Sequence, residues 1–356
     1  MPINIYQTQT MLAAVREMPL ATNFLRDRYF TADGDSSFPT DEVLVEYRDA
    51  SGNKLAPVVM PRKGGIAVER EGYETFKMAP PLVAPERPLT IDDLNKKQMG
   101  ENLFSDRTPE QRQAQVLMQD LSEMEELIAN REEYIAAQLM FNNGYTLREY
   151  ADKYGEGPYK EFEMRFYGNS GNDAVYAPAS MWSETDADIL GDLYQMLIML
   201  TRRGNNASEV LLGADVADAL MKNETIQKLM DLTRYNIGEI APVALPQGAA
   251  RLGRLNIRGR MIDLLTYDGT YVDEETGETT LYVPDKKICM TAPGAGRILW
   301  GAVTQMEQST GNWRTITGNR VPWYWAKEDG RKVRLSSRPL LSPKTKNCFI
   351  TAEVLG

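Results

Sequence analysis

The sequence predicts a mixed α+β fold. Three observations carry this: an unbroken helical pattern from Thr108 to Asn142, a strand-and-turn pattern starting at Val43, and a strand-rich second half with hairpin chemistry at Asp273-Glu274-Glu275-Thr276-Gly277. With 356 residues, 42% of them hydrophobic, the chain can bury a sizeable core and divide into more than one domain.

Residues 1–40 mix Ile3, Ile5, Leu12, Phe24, Leu25 and Phe30 with polar groups and close on Asp33-Gly34-Asp35-Ser36-Ser37, a pattern closer to an arm than to a domain. Val43, Val45 and Tyr47 then alternate with Leu44 and Glu46, and Asp49-Ala50-Ser51-Gly52-Asn53 supplies a turn for a hairpin returning through Leu55. Pro57, Pro61, Pro80, Pro81, Pro85 and Pro88 exclude a long helix or a central strand from the next stretch. Val58, Val59, Ile66, Val68, Tyr73, Phe76, Leu82 and Val83 make it more apolar than a free linker, which points to burial against another element or another subunit.

Thr108-Pro109-Glu110-Gln111 is a helix start, with Thr as cap, Pro at the first helical position and Gln three residues after the cap. Ala114, Leu117, Leu121, Met124, Ile128, Ile135 and Leu139 form the apolar stripe, and Arg112, Gln115, Gln119, Glu123, Glu126, Asn130 and Glu133 take the other side. At 1.5 Å per residue the rod would be roughly 50 Å long. It carries two basic against seven acidic residues, half of the chain's net charge of −10. A second helix is expected over Ala187 to Arg203, closed by Gly204. Val210-Leu211-Leu212-Gly213 reads as a short buried strand, 214–223 and 225–233 as helices, and Leu255 onward as strands. The segment 332–355 is strand-rich, with Pro339 and Pro343 expected to break it.

Composition excludes much chemistry. There is no His, which removes His-dependent nucleophilic catalysis, imidazole metal ligation and the commonest general base near neutral pH. Cys289 and Cys348 are too few for a disulfide framework or a zinc site, and two free thiols in a reducing compartment are expected. Arg16 and Glu17 interrupt the N-terminal apolar stretch, so a signal peptide is not expected, and the apolar run 193–200 is too short to span a bilayer. The acidic balance argues against tight binding of nucleic acid through phosphates.

Candidate sites are few. Gly294-Ala295-Gly296 lacks the third glycine of a dinucleotide loop, because position 299 is Leu, and it reads as a turn. Asp186 with Asp188, and Asp273 with Glu274 and Glu275, lack the spacing of a metal loop and read as solvated acids. Arg251, Arg254, Arg258 and Arg260 form the one basic concentration, with Asp263 and Asp268 close behind. Trp313, Trp323, Tyr324 and Trp325 suit packing in a core or interface better than a stacking platform. Glu125 and Glu132 lie at the edge of the apolar stripe. Two readings stand there, pairing with basic groups of a neighbour or snorkelling at the border.

In this order of parts the chain resembles the tailed-phage major capsid proteins, specifically the lambda-type major capsid protein E family. The likeness lies in Leu55-Ala56-Pro57 to Gly64-Gly65, in Val68-Glu69-Arg70-Glu71-Gly72-Tyr73-Glu74-Thr75, in Arg131-Glu132-Glu133-Tyr134-Ile135-Ala136-Ala137-Gln138, and in Val210-Leu211-Leu212-Gly213 followed by Ala214-Asp215-Val216-Ala217. The resemblance implies the Hong Kong 97 type capsid fold, with an N-terminal arm 1–40, an extended loop 41–100, a peripheral domain 101–207 with the spine helix, an axial domain 208–330, and C-terminal strands 331–356 returning to both domains. It implies a structural, non-enzymatic shell protein without cofactor or metal. Such a protein assembles with itself as hexamers and pentamers around double-stranded DNA that it touches weakly and without sequence specificity. Scaffold, portal and decoration proteins are implied partners, a membrane is not, and the location is the virion, built in the host bacterial cytoplasm. Arg62, Lys63, Glu69, Arg70, Glu71 and Tyr73, with Glu125 and Glu132, are the expected inter-subunit contacts. An encapsulin-like protein compartment is the alternative within the same fold, and a ligand-binding α+β protein using Trp323-Tyr324-Trp325 is the alternative outside it.

Overall fold

The structure is a computed structural model and describes residues 8–17, 21, 23–32, 36–40, 42–48, 73–90, 109–150, 158–166, 174–184, 187–223, 226, 238–239, 243–308, 311–327 and 330–356. The strand Glu209–Leu212 is buried at every position, because it lies inside the largest sheet with Arg260–Tyr267 parallel on one side and Lys287–Thr291 antiparallel on the other. That central place explains why it reads as a short continuous apolar run and not as an alternating one. Among the described residues the sheet has eight strands and continues outward through Ala249–Ile257 on one side and through Ile350–Glu353 and Val175–Tyr176 on the other.

Period-two alternation divides this sheet between two cores. Val210, Leu212, Ile262, Leu264, Ile288, Met290, Ile350 and Ala352 face the helices Ile189–Arg202 and Ala214–Lys222. Leu211, Leu265, Cys289 and Phe349 face the opposite way, onto Ile135, Leu139 and Met140 of the long helix Pro109–Asn142 and onto Phe24, Leu25, Tyr29 and Phe30 of the arm. The N-terminal half of the long helix has its own core, in which Leu117, Leu121, Met124 and Ile128 meet Met11 and Val15 of the helix Thr8–Glu17 and Val333 and Leu335 of the strand Gly330–Ser336. The core clusters therefore join the helix 189–202 to the sheet of 208 onward, and 321–336 to the long helix, across the boundaries expected at 207 and 330.

The second helix begins at Ile189, two residues after the expected Ala187, because Asp188 caps it, its side chain accepting from Gly191 N–H at 2.9 Å. Its end is closed as expected, with Gly204 at φ +74 and Asn205 N–H returning to Leu200 O at 3.0 Å. Gly294 is in a left-handed turn, φ +68. The predicted helix 225–233 lies outside the described residues apart from Ile226, which is buried.

The strand Val43–Arg48 pairs with Tyr73–Met78, from Val43↔Met78 to Arg48↔Tyr73, while Leu55, through which a hairpin is expected to return, lies outside the described residues. Val43 and Val45 of this pair are fully buried in the core, which fixes its register. The residues between, 49–72, lie outside the described set. The prolines divide the C-terminal segment as expected: after Gly330–Ser336 a new, buried strand runs from Pro339 to Pro343, pairing with Gly296–Trp300 at the edge of a three-stranded sheet, and the next begins only at Ile350. At the ends of an edge strand a missing N–H removes no ladder bond.

Gly213 precedes the helix Ala214–Lys222, and a Cβ there would lie 2.3 Å from the backbone oxygens of Pro284 and Asp285. Backbone cannot rotate away as a side chain can. Gly213→Ala is therefore expected to destabilise the chain by about 1–3 kcal/mol, as overpacking does. A thermal melt coinciding with that of the wild type would refute the close approach.

Candidate functional site

Glu125 and Glu132 are seven residues apart and so lie on one face of the long helix, separated by roughly 10 Å along its axis. Both are almost fully buried, at 2% and 1% exposure. The group between them is Arg320, itself 5% exposed, on the residue before the strand Val321–Lys327. Its Nη1 donates to Glu132 Oε1 at 2.8 Å, and its Nη2 donates to Glu132 Oε2 and Glu125 Oε1, each at 3.0 Å. Nε completes the fork on Glu125 Oε2. Arg26 of the short helix Phe24–Tyr29 reaches the same Glu132 with Nη1 at 2.9 Å and donates from Nη2 to Ala21 O at 2.7 Å. Arg26 Nε also donates to Asp27 Oδ1 at 2.7 Å, so two guanidiniums serve three carboxylates, and the planar fork of Arg suits the multiple engagement.

The next residue, Glu133, was expected on the polar side of the helix and is instead fully buried. Its two oxygens accept from Leu25 N–H and Arg26 N–H, each at 2.8 Å. The short helix has no side-chain cap from Asn23, so the orphan N–H groups of its first turn are satisfied by this distant carboxylate. Arg28, one turn on, forks onto the buried Glu209 of the central strand, and Tyr29 O–H donates to Glu209 Oε2 at 3.0 Å. Three buried glutamates from the long helix and the sheet therefore clamp the arm at 24–29.

Burial pushes the carboxyl of Glu125 above its ordinary range against the opposing pull of Arg320, and pushes that of Glu133 up against the N–H groups of Arg26 and Leu25. For Arg320 burial pulls the other way, but Glu132 and Glu125 outweigh it and the guanidinium stays charged. The folded chain retains the protons of Glu125 and Glu133 at a pH where the unfolded chain has released them. Stability from these groups is therefore present below the ordinary carboxylate range and falls as pH rises through the interval just above it. Glu125→Gln, which fixes the neutral form, is expected to flatten that slope, checked by urea midpoints from roughly pH 4.5 to pH 7.

Glu125 and Glu132 thus find their basic partners, Arg320 and Arg26, inside their own chain, which replaces the expectation of a neighbour's side chains and that of snorkelling. Of the other expected contacts, Arg62, Lys63, Glu69, Arg70 and Glu71 lie outside the described residues, and Tyr73 is described only as the first residue of a strand. The seven-residue spacing of Glu125 and Glu132 was legible in sequence. Arg26, Arg28, Glu133, Glu209 and Arg320 were missed, because nothing local marks a charge for burial.

The remaining candidates are engaged elsewhere. Glu274 accepts from Arg131 and from Tyr150 O–H at 3.2 Å, and Glu275 pairs with Arg148, so the acidic hairpin tip docks on the long helix and on the hairpin 144–165 beside a cleft of about 550 Å³. Arg254 pairs with Asp263, Arg258 lies 3.9 Å from the centre of the Tyr194 ring, and Arg260 donates to Thr201 Oγ1 at 2.9 Å. Trp323 donates its indole N–H to Met306 O at 2.8 Å under the Arg334 guanidinium. Among the described residues no group of acids and thiols is placed to hold a metal ion, and no helix is long and apolar enough to cross a membrane. The arrangement is mechanical: it ties arm, rod and sheet into one unit.

Comparison with known proteins gives this unit a context. Residues 7–354 match the family model of phage major capsid protein E. The major capsid protein of Enterobacteria phage phi80 is 23% identical, over 99% of this chain and all of its own length. Among solved structures, an E. coli CFT073 protein described as a prophage capsid protein superposes with TM-score 0.62 at 15% identity, covering 98% of each chain, and a phage-related protein of Bordetella bronchiseptica RB50 superposes with TM-score 0.50 at 10% identity, covering 96% of this chain and 95% of its own. The fold is the Hong Kong 97 type of phage capsids. A family match running from arm to last strand, on this fold, places the chain in the phage major capsid protein E family.

Proposed function

We propose that this capsid protein assembles as hexamers and pentamers into an icosahedral shell enclosing double-stranded DNA, and that its role is structural and not catalytic. The observation that supports the reading best is the family match over residues 7–354. The charge balance agrees with it, since a wall carrying −10 per copy neutralises few phosphates and leaves packaged DNA weakly held. Scaffold, portal and decoration proteins are the partners the reading brings, with assembly in the host bacterial cytoplasm and the virion as final location.

Expression of the full chain, alone and with a scaffold, followed by sedimentation and negative-stain microscopy, tests it. Closed shells or rings of five and six support the reading, and a monomer that persists with scaffold present overturns it. Particles filled with protein and free of nucleic acid would favour an encapsulin-like compartment instead. The proposal extends to Arg62, Lys63, Glu69, Arg70, Glu71 and Tyr73 as contacts between subunits. Glu69→Ala is expected to lower the temperature at which shells dissociate, and unchanged yield and heat resistance would remove Glu69 from that set.

A further inference from the structure

We propose that the hairpin formed by Val303–Met306 and Trp313–Ile316 is a contact between copies of this chain, its outer face packing on the same hairpin of a neighbouring copy. This rests on the shell reading above.

Along the first strand Val303 and Gln305 are buried and Thr304 and Met306 are exposed. The register sets Thr304 opposite Thr315 and Met306 opposite Trp313, so the outer face consists of two threonines, a methionine and a tryptophan. The threonine hydroxyls hydrogen-bond each other at 2.9 Å, and Trp313 is 74% exposed, the most exposed large hydrophobic residue among those described. A tryptophan held so far into water gives up burial that the fold could use.

The hairpin is not a loose loop tip. Gln305 Nε2 donates to Pro322 O at 3.1 Å, Gln308 Oε1 accepts from Ala326 N–H at 2.7 Å while its Nε2 donates to Ala326 O, and Trp323 holds Met306 O. Side chains thus fasten the hairpin edge-on to the strand 321–327, and the ordering cost of binding is largely met before any partner arrives. A rigid aromatic anchor of this kind is what carries energy in interfaces.

Charge and size identify the partner. Each copy carries −10, so copies repel in general, and this outer face is uncharged. A face without charge can meet its own copy without like-charge repulsion, and the hairpin's exposed basic residue, Arg314, stands opposite Gln305 on the other face, 3.9 Å from Glu307. Four side chains also cover far less than the roughly 800 Å² per partner of a stable two-body interface. The patch suits an assembly in which each copy has several neighbours.

The test uses particles of the full chain carrying the photoreactive p-benzoylphenylalanine at position 306, with Trp313 retained. Irradiation is expected to give covalent pairs of chains whose joined peptides both come from 303–316. Trp313→Ala particles are expected to dissociate several degrees below wild type, with circular dichroism of the disassembled chain unchanged because the side chain is exposed. Joining to another region or another protein, or Trp313→Ala particles that melt with the wild type, overturns the proposal. Failure of the wild type itself to form particles overturns the shell reading, and this inference falls with it.

Discussion

Arg320→Ala is expected to leave most of the chain insoluble or unassembled, at a cost of about 3–5 kcal/mol, the penalty for removing one partner of a buried ion pair. The loss is large against a total stability on the order of 5–15 kcal/mol. The cost comes from what remains: Glu125 and Glu132, at 2% and 1% exposure, would face each other across a void with Arg26 as the nearby cation. Adding Glu125→Gln to Arg320→Ala should recover part of the loss, because it removes an unpaired buried charge. Arg320→Lys should recover less than the charge alone would suggest, since an ammonium cannot fork onto two carboxylates held two turns apart. Soluble yield and urea unfolding of each variant measure this, and an Arg320→Ala chain as stable as the wild type would show that the network contributes nothing.

Glu133→Ala is expected to act on the arm. The N–H groups of Leu25 and Arg26 lose their acceptor in a buried place, each at about 1–3 kcal/mol, and the cap of the helix Phe24–Tyr29 goes with them. Arg26 and Arg28 keep their bonds to Glu132 and Glu209, so local opening is expected before global unfolding. Amide exchange should rise steeply at 24–29 while the central strand 209–212 stays protected. Equal protection of the arm in variant and wild type would show that the carboxylate is not its anchor. Glu133→Gln, which can accept only one of the two bonds, should fall between.

These two variants mark where sequence reasoning ran out. Periodicity located the long helix from Pro109 to Asn142 and its buried stripe through Leu117, Leu121, Met124, Ile128, Ile135 and Leu139, because burial on one face of a rod imposes a pattern on the rod itself. Cap chemistry located the end of the second helix at Gly204, and apolar continuity located the central strand. Glu133 defeated the same method: by angle it belongs to the polar side, and it is buried because the arm crosses the helix there, a fact recorded 107 residues away at Arg26. The partner of 43–48 is of the same kind, since no local signal states that 73–78 lies beside it.

By itself the sequence determined the fold class, the principal rods and strands, the exclusion of histidine-dependent chemistry and, through the Glu-Arg-Glu-Gly-Tyr-Glu-Thr and Arg-Glu-Glu-Tyr stretches, the family resemblance. All of these are properties of composition or of neighbours along the chain. Only the tertiary structure decided that Glu125, Glu132 and Arg320 form one buried unit with Arg26, that Pro339–Pro343 is an edge strand, and that Trp313 stands in water on a stiff hairpin. The physical reason is separation: Arg320 and Glu125 are 195 residues apart, and the energy of a buried charge is set by what the fold brings within 3 Å of it, which no local pattern records.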